Sequence, residues 1–276
     1  MSGQLILVAT PLGNLGDITA RALDVLRITD IIACEDTRRT AGLLTHFGIE
    51  RPRMMVVNDH TERGQIAPIL DALSDGKTVA LVSDAGSPGI SDPGERLVAA
   101  AVAAGYPVSA TPGPSAAIMA VSISGLPAGR WVFEGFLPRS GGGRTSRLAE
   151  VAKEERTVVL YEAPHRLEQT LQQLGAACGV DRPIVVAREL TKLHEEVWRG
   201  TLADAAARTA TVEPRGEYVL VLGGAAEAGP STDADIVDAL IARIAGGLDK
   251  KTAITEVAGE LRIPKRHVYS LALTIR

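Results

Sequence analysis

The sequence predicts an α/β protein with two domains and a small helical appendage. The chain has 276 residues, and a prior of roughly 150 residues per domain gives about two domains. Short apolar runs alternate with amphipathic segments of helical length, an order typical of a parallel sheet flanked by helices. A linker rich in Gly, Ala and Pro at 223–232 precedes a helical tail. We therefore expect an N-terminal α/β domain over 1–124, a C-terminal α/β domain over 125–224 and a helix-turn-helix-like appendage over 233–276.

Five repeats of a strand and a helix account for the first half of the chain. Each apolar run is followed by polar turn residues and then by a segment with helical apolar spacing. The predicted strands are 5–9, Ile31–Cys34, Met54–Val57, Val79–Ser83 and a strand near Val108. The predicted helices are Thr19–Ile28 (or from Asp17), a helix that carries Leu43, Leu44 and Phe47, and then Glu62–Ser74, Asp92–Ala104 and Ala116–Ser124. The carboxyl ends of parallel strands meet at one edge of the sheet, where ligands bind in open α/β sheets.

The second half has fewer helices between its strands, which predicts a mixed sheet. The predicted strands are Trp131–Phe136, Thr157–Tyr161, Ile184–Ala187, Glu195–Arg199 and Tyr218–Leu222, and the predicted helices are Leu167–Ala177 and Leu202–Ala210. The segment Arg139–Arg147 (R-S-G-G-G-R-T-S-R) is expected to be a mobile basic loop.

The tail has the outline of a helix-turn-helix. One helix is predicted over Ala234–Ala245, and two more within Lys250–Leu273, joined by a turn at Arg262–Pro264. Lys265, Arg266 and His267 would start the second helix of the motif, where a recognition helix presents its basic side chains. A helical appendage that only packs on the main body is an equal alternative.

Composition and charge exclude several classes of protein. A net charge of −4 and an isoelectric point near 5.8 argue against overall electrostatic binding of nucleic acid, so that any RNA contact would be local. An aromatic content of 3% disfavours a binder that stacks single-stranded bases.

Cys34 and Cys178 lie far apart without metal-ligand neighbours, so neither a disulfide nor a metal site is expected. The chain lacks a basic N-terminal segment followed by a long apolar stretch, and it has no apolar run of ~20 residues. We expect a cytoplasmic protein without membrane spans.

One loop stands out as a binding site. Val79–Gly94 (V-A-L-V-S-D-A-G-S-P-G-I-S-D-P-G) starts as a strand and ends in a turn of Gly, Pro, Ser and Asp. Its glycines allow a close approach to the backbone, and its prolines limit the conformations of the loop. The alternative is a tight connection in which Asp92 is the N-cap of the next helix and Pro93 its first residue.

Residues 11–17 (P-L-G-N-L-G-D) lack the G-x-G pair of a dinucleotide fingerprint, which makes a nicotinamide enzyme improbable.

Other strand ends carry polar groups that would meet this loop. Arg38 is a candidate phosphate clamp, although a solvated helix start capped by Asp36 or Thr37 is the commoner explanation of such a segment. From the second half, strand-to-loop transitions of the same kind would supply the opposite wall of a cleft. The segments are Glu35–Arg39, Asn58–His60, Tyr161–Arg166 and Arg188–Lys192.

Seven motifs together resemble the tetrapyrrole methylase superfamily, and within it the bacterial enzymes that methylate small-subunit ribosomal RNA. They are V-A-T-P-L-G-N-L-G-D-I-T (Val8–Thr19), A-C-E-D-T-R (Ala33–Arg38), the loop Leu81–Gly94, T-P-G-P-S-A (Thr111–Ala116), F-E-G-F-L-P (Phe133–Pro138), Y-E-A-P-H-R-L (Tyr161–Leu167) and R-E-L-T-K (Arg188–Lys192). The likeness covers essentially the whole chain. Relatives that act on tetrapyrroles usually carry G-x-G-x-G-D and G-D-P turns, from which Pro11–Asp17 and Ser83–Ala85 depart, and this counts against a tetrapyrrole substrate.

The resemblance implies a homodimeric methyltransferase that uses S-adenosyl-L-methionine. Its substrate would be the ribose 2′-hydroxyl of a cytidine in the decoding region of 16S rRNA, within the small ribosomal subunit. Two α/β domains would enclose the cofactor in the cleft between them. The implied cofactor residues are Pro11, Asp84, Gly86, Ile90, Ser115, Ala116, Leu137, Tyr161 and Glu189.

A ribose hydroxyl is a poor nucleophile until it loses its proton, so we expect a general base. The candidates are Asp36, His60 and Glu162, with Arg38 and Arg166 binding phosphate. Local positive surface is expected from Arg139, Arg144, Arg147, Lys250, Lys251, Lys265 and Arg266. Two alternatives stay open: a methyltransferase of a cobalamin or sirohaem pathway, and a ligand-sensing regulator that binds DNA through its tail.

Overall fold

The computed structural model describes residues 3–226, 232–261 and 263–275. The strands are β1 Gln4–Val8, β2 Ile31–Cys34, β3 Arg53–Val56, β4 Thr78–Val82, β5 Val108–Thr111, β6 Trp131–Phe136, β7 Thr157–Glu162, β8 Pro183–Arg188, β9 Glu196–Thr201 and β10 Tyr218–Leu222. The helices are α1 Ala20–Ile28, α2 Thr37–His46, α3 Glu62–Ser74, α4 Glu95–Ala103, α5 Ala116–Ser124, α6 Gly141–Lys153, α7 Pro164–Cys178, α8 Leu202–Thr211, α9 Asp233–Ala245, α10 Lys250–Glu260 and α11 Lys265–Ala272. None of these helices is long and apolar enough to cross a membrane.

The first sheet is fully parallel and has the strand order β3-β2-β4-β1-β5. Successive side chains of β4 serve two separate cores, because they point to opposite faces of the sheet. Val79 and Leu81 pack with α3 and α4 on one face, and Ala80 and Val82 pack with α1 and α2 on the other. Helices therefore cover both faces, and the predicted doubly wound parallel sheet is confirmed.

The second sheet is mixed, with the order β6-β7-β10-β8-β9. Strands β6 and β7 are parallel, whereas β10 runs antiparallel to both β7 and β8. Helices α6, α7 and α8 cover one face, and α5 covers part of the other by packing against Val159, Val219 and Val221. The predicted mixed sheet is confirmed, and α5 joins the two halves of the fold because its own core contacts lie on the second sheet.

Two helix predictions are corrected. The expected loop at Arg139–Arg147 is wrong, since α6 begins at Gly141. Beyond the three glycines, Leu148 and Val151 have helical spacing, and both pack into the core of the second sheet. The N-cap of α4 is Gly94 with φ 131°, not Asp92. The carboxylate of Glu62 does the capping by accepting the N–H groups of Gly94, Arg96 and Leu97 at 3.0–3.2 Å.

Residues up to Ala225 form one compact unit, and those from Ala226 form a second. The division of the first unit at residue 124 stays a prediction. The second unit is a three-helix cluster around Ile236, Leu240, Val257 and Val268. It contains the two predicted tail helices as α10 and α11, while Arg262 of the predicted turn lies outside the described residues.

Candidate active site

Both sheets open on one cavity of about 440 Å³. The first sheet contributes the loops after β1, β2, β4 and β5, and the second contributes the ends of β6 and β7 and the start of β10. From the first sheet the lining side chains include Leu12, Glu35, Arg39, Asp84, Ile90, Asp92 and Ser115, and from the second they include Phe136, Tyr161, Glu162 and Tyr218. The volume lies within the range of about 300–1,000 Å³ that is typical of small-molecule sites.

The loops after β1 and β4 are joined backbone to backbone. Thr10 and Gly86 exchange two hydrogen bonds of 2.8 and 3.0 Å, and the Thr10 hydroxyl donates to the carbonyl of Ser83 at 3.0 Å. Gly86 has φ +84°, and a Cβ there would lie 3.2 Å from Leu12. The loop singled out in the sequence is therefore a fixed part of the cavity wall.

Acidic side chains dominate the charge of the cavity. Glu35 accepts the backbone N–H of Asp84 at 2.9 Å, and burial raises the pKa of Glu35. The lining contains one basic side chain, that of Arg39, which pairs with Asp84 at 3.4 Å. The other oxygen of Asp84, Oδ1, is buried and has no hydrogen-bond partner within the described residues. The cavity thus suits a ligand that brings both a positive charge and a hydrogen-bond donor.

Asp92 also lines the cavity, on a tightly held loop. Ser91 has φ 60°, a left-handed conformation that is uncommon for a residue with a side chain. A Cβ on Gly135, in the β6 bulge, would lie 2.7 Å from the Ser91 hydroxyl. On the other side, the N–H of Gly94 is held by the buried Glu62 carboxylate. Burial, and next the negative charge of Glu35, raise the pKa of Asp92 to about 7.

The second sheet provides an aromatic wall and a buried ion pair. The Tyr161 ring packs edge-on against Phe133 and Phe136, and its hydroxyl accepts the N–H of Ala117 at 3.2 Å. Burial raises the pKa of Tyr161. Glu162 is 2% exposed and is paired with Arg166 at 3.2 Å.

Six of the nine predicted cofactor residues line this cavity: Asp84, Gly86, Ile90, Ser115, Ala116 and Tyr161. Pro11 lines a neighbouring cavity of about 200 Å³, which shares Arg39 and Asp84 with the first. Leu137 is buried in the core of the second sheet. The Glu189 carboxylate accepts from Lys192 and from the N–H of Glu217 instead of lining the cavity.

The three predicted bases are placed differently. Glu162 lines the cavity but is held by Arg166 and by the Thr170 hydroxyl, which donates to it at 2.6 Å. Asp36 is the N-cap of α2, where it accepts from Arg38, and this hydrogen bonding lowers its pKa. Asp36 and the exposed His60 are both absent from the cavity lining.

The predicted phosphate-binding residues differ in their exposure. Arg38 is 90% exposed and pairs with Asp36. Lys265 and Arg266 are exposed at the start of α11. Arg166 turns inward, donating to the carbonyl of Leu137 at 2.7 Å.

Arg144 requires a correction. It is 4% exposed and donates to Gln173 at 2.6 Å, to the carbonyl of Pro138 at 2.9 Å and to Thr170 at 2.8 Å. Two nitrogens of its guanidinium therefore hold α6 against α7 and the third holds the segment before α6, so that Arg144 is buried and does not add to the exposed positive surface.

Sequence reasoning does not assign Glu35, Arg39 or Phe136 to the site individually. Glu35 and Arg39 stood in a motif that was already singled out, and their position just after β2 was the available signal. For Asp92 the sequence leaves two interpretations open, a polar group of the binding loop and the N-cap of the next helix. The Gly94 that follows it, with a backbone conformation that favours glycine, shows why the helix starts later.

Cys34 ends β2, immediately before Glu35. Its side chain is fully buried. Burial is the main reason that the pKa of its thiol is raised, and a hydrogen bond with the Thr40 side chain partly opposes this effect. The pKa is raised further by three nearby carboxylates, those of Asp84, Asp36 and Glu35.

Comparison with solved structures supports the fold. A uroporphyrin-III C-methyltransferase from Thermus thermophilus, solved in complex with S-adenosyl homocysteine, aligns with a TM-score of 0.58 at 18% identity. The alignment covers 81% of this chain and 97% of the other. At that identity, the likeness concerns the fold alone.

Sequence comparison gives the family. The model described as Tetrapyrrole (Corrin/Porphyrin) Methylases matches residues 4–206. A protein from Synechocystis sp. named ribosomal RNA small subunit methyltransferase I is 47% identical over 99% of this chain and 98% of its own. A protein of the same name from Thermotoga maritima is 46% identical over 80% of this chain and 99% of its own. The chain therefore belongs to the tetrapyrrole methylase family and, within it, to the ribosomal RNA small subunit methyltransferase I family.

Proposed function

We propose that this protein transfers a methyl group from S-adenosyl-L-methionine to the ribose 2′-hydroxyl of a cytidine in the decoding region of 16S rRNA. The observation that carries the proposal is the full-length relationship to proteins named as methyltransferases of small-subunit ribosomal RNA. The enzyme acts in the cytoplasm, as a homodimer, on the small ribosomal subunit.

The cavity fits the methyl donor in charge and shape. S-adenosyl-L-methionine carries a sulfonium and an ammonium, and it supplies an activated methyl group when bound. Glu35, Asp84 and Asp92 surround the cavity with negative charge, and Asp84 Oδ1 has no hydrogen-bond partner within the described part of the chain. We assign the polar parts of the donor to Asp84 and the loop around Gly86, and its apolar surface to Ile90, Ala116 and Tyr161.

The task of the protein is to align the methyl group of the donor with the ribose oxygen and to enclose both groups. Methyl transfer is an in-line displacement, and correct placement of the reacting atoms accounts for much of such a rate enhancement. The paired hydrogen bonds between Thr10 and Gly86 fix the two loops before a ligand arrives. Phe136 and Tyr161 form an aromatic wall of the cavity on the side of the second sheet.

RNA has to reach the cavity despite the overall negative charge. Arg38 and Arg39 are 90% and 68% exposed at the start of α2, beside the cavity. Their position suits phosphate contacts next to the target nucleotide. We assign a second RNA contact to four exposed basic residues of the tail, Lys250, Lys251, Lys265 and Arg266.

The test is to locate the methyl group. The protein is incubated with labelled S-adenosyl-L-methionine and one of three acceptors: undermethylated small subunits, free 16S rRNA or precorrin-type macrocycles. We expect label on the small subunit, in a nucleotide that resists alkaline cleavage because its 2′-oxygen is blocked. Label on the macrocycle would establish a tetrapyrrole methyltransferase instead. Donor binding without transfer to any acceptor, together with specific DNA binding, would favour the regulator.

A further inference from the structure

A groove beside α2 carries positive charge. It runs between that helix and the start of the edge strand β3. Arg38, Thr45 and Arg51 line it, and none of the described residues in its lining is acidic. The whole chain, in contrast, has a net charge of −4. This local excess of positive charge suits an anionic partner.

The two arginines of the groove are open to a ligand. Arg51 is exposed, and within the described part of the chain it forms no ion pair; its guanidinium donates to the Thr45 hydroxyl at 3.0 Å. Arg38 is 90% exposed and pairs at 3.2 Å with Asp36, which is outside the lining of the groove. Arg38 and Thr45 lie about 10 Å apart along the axis of α2. The two positive charges are therefore spaced to meet different phosphates of one strand.

Gly42 connects this groove to the candidate active site. It is exposed within α2 and lines both the groove and the neighbouring cavity of about 200 Å³. That cavity shares Arg39 and Asp84 with the larger cavity of about 440 Å³. A path therefore leads from the larger cavity, across α2 at Gly42, to Arg51.

Packing gives no reason for a glycine at this position. A glycine inside a helix lowers the stability of the helix relative to alanine. A Cβ on Gly42 would have no atom of the described residues within 4 Å. Helix backbone without a side chain does allow another chain to approach closely. A long side chain here would project into the crossing between the cavity and the groove.

We propose that the RNA strand next to the methylated nucleotide crosses α2 at Gly42 and lies in this groove, with its phosphates on Arg38 and Arg51. The inference rests on the proposed function and adds the course of its substrate. The guanidinium groups and the hydroxyls of Thr37 and Thr45 are donors of the kind that bind phosphate and sugar oxygens. An acidic surface of a ribosomal protein is the competing occupant, and the tests distinguish the two.

The first test fills the crossing with a side chain. Gly42→Leu acts at an open helix position, so its melting temperature should equal or exceed that of the wild type. We expect its affinity for S-adenosylhomocysteine to stay within about twofold, while kcat/KM for methylation of small subunits falls by roughly tenfold or more. The matched control is Gly64→Leu, because Gly64 is exposed within α3, has equally open surroundings and lines neither cavity nor the groove. Its kcat/KM should equal that of the wild type.

The second test removes charge from the groove. Arg51→Gln should weaken binding to small subunits about three- to tenfold and lower the slope of log affinity against log salt concentration by about 0.7, the value for one phosphate contact of a single strand. The control Arg27→Gln removes the same charge from the last turn of α1, outside the groove and both cavities. It should leave affinity and slope unchanged. Both variants should bind S-adenosylhomocysteine as the wild type does.

The third test identifies the occupant of the groove. Thr45→Cys places a thiol there, to which a photoreactive group is attached. The wild-type protein treated in the same way corrects for labelling of Cys178, which is half-buried. With bound small subunits, we expect the crosslink on 16S rRNA beside the methylated nucleotide. A crosslink to a ribosomal protein alone would assign the groove to a protein partner and overturn the inference.

The outcomes separate the inference from the proposed function. Wild-type kinetics in a folded Gly42→Leu protein overturn the inference alone, and so does a salt slope in Arg51→Gln equal to that in Arg27→Gln. If Gly42→Leu is less stable than Gly64→Leu, the salt slope and the crosslink decide. Absence of methylation by the wild-type protein on small subunits and on free rRNA overturns the proposed function and the inference with it.

Discussion

Glu62 caps a helix to which it does not belong. Its carboxylate, 4% exposed at the start of α3, accepts three backbone N–H groups at the start of α4 and also pairs with Arg96. These donors have no intrahelical partners, and burying them without an acceptor costs about 1–3 kcal/mol each. One side chain therefore fixes both where α4 begins and where the preceding loop ends.

We predict that Glu62→Ala lowers the free energy of unfolding by about 2–4 kcal/mol, since several buried donors lose their acceptor at once. Glu62→Gln keeps one acceptor oxygen and should cost less. Urea unfolding followed by circular dichroism measures both, with the exposed Glu95→Gln as control. A change below about 0.5 kcal/mol in Glu62→Ala, the size of an ordinary surface substitution, would contradict the assignment.

The bulge in β6 is the element that brings the second sheet against the Asp92 loop. Gly135 has φ +58°, and its missing side chain leaves room for the Ser91 hydroxyl. Bulges are common beside active sites, where they redirect a strand. Here the bulge lets a strand of one sheet pack against a loop from the other.

We predict that Gly135→Ala displaces the Ser91–Asp92 loop and weakens S-adenosylhomocysteine binding about tenfold, equivalent to about 1.4 kcal/mol. Gly129→Ala is the matched control, because a Cβ there has no atom within 4 Å. The double variant with Ser91→Ala removes the hydroxyl that a Cβ would meet and should recover most of the affinity. Failure of this rescue would show that the left-handed backbone conformation, and not the contact, is responsible. Calorimetric titration measures all four proteins.

The elements differ in how far the sequence determines them. Glu62–Ser74, Ala116–Ser124 and Trp131–Phe136 have the predicted bounds because apolar spacing and turn residues act locally. The direction of Arg144 and the start of α4 depend on partners far along the chain, Thr170 and Glu62, and no local pattern contains those contacts. The same holds for the site: the sequence predicts the edge where the loops meet, but not that Asp92 turns into the cavity.

The whole chain consists of two compact units, and the residues that line the cavity all belong to the first. The relative from Thermotoga maritima matches over 222 residues that make up 99% of its own chain, an extent close to that of this unit. Binding of the methyl donor should therefore need the first unit alone.

We predict that a chain ending at Ala225 binds S-adenosylhomocysteine with an affinity within about threefold of the full chain, a difference below about 1 kcal/mol. Removing the exposed Lys250, Lys251, Lys265 and Arg266 with the tail should weaken binding to small subunits and lower its salt dependence by about 0.7–0.9 per lost phosphate contact. Donor titration and subunit binding at several salt concentrations measure the two effects. Unchanged subunit affinity and salt slope would show that the tail makes no RNA contact.

Cys34 gives the protein an internal chemical reporter. Alkylating reagents react with the thiolate, and this thiol is both fully buried and held in its protonated form by its surroundings. Alkylation of Cys34 therefore requires a transient opening of the structure at the carboxyl ends of the first sheet's strands. The rate at which Cys34 is labelled measures how often that opening occurs. A ligand bound in the cavity that holds the neighbouring loops together should slow the labelling, because it stabilises the closed form.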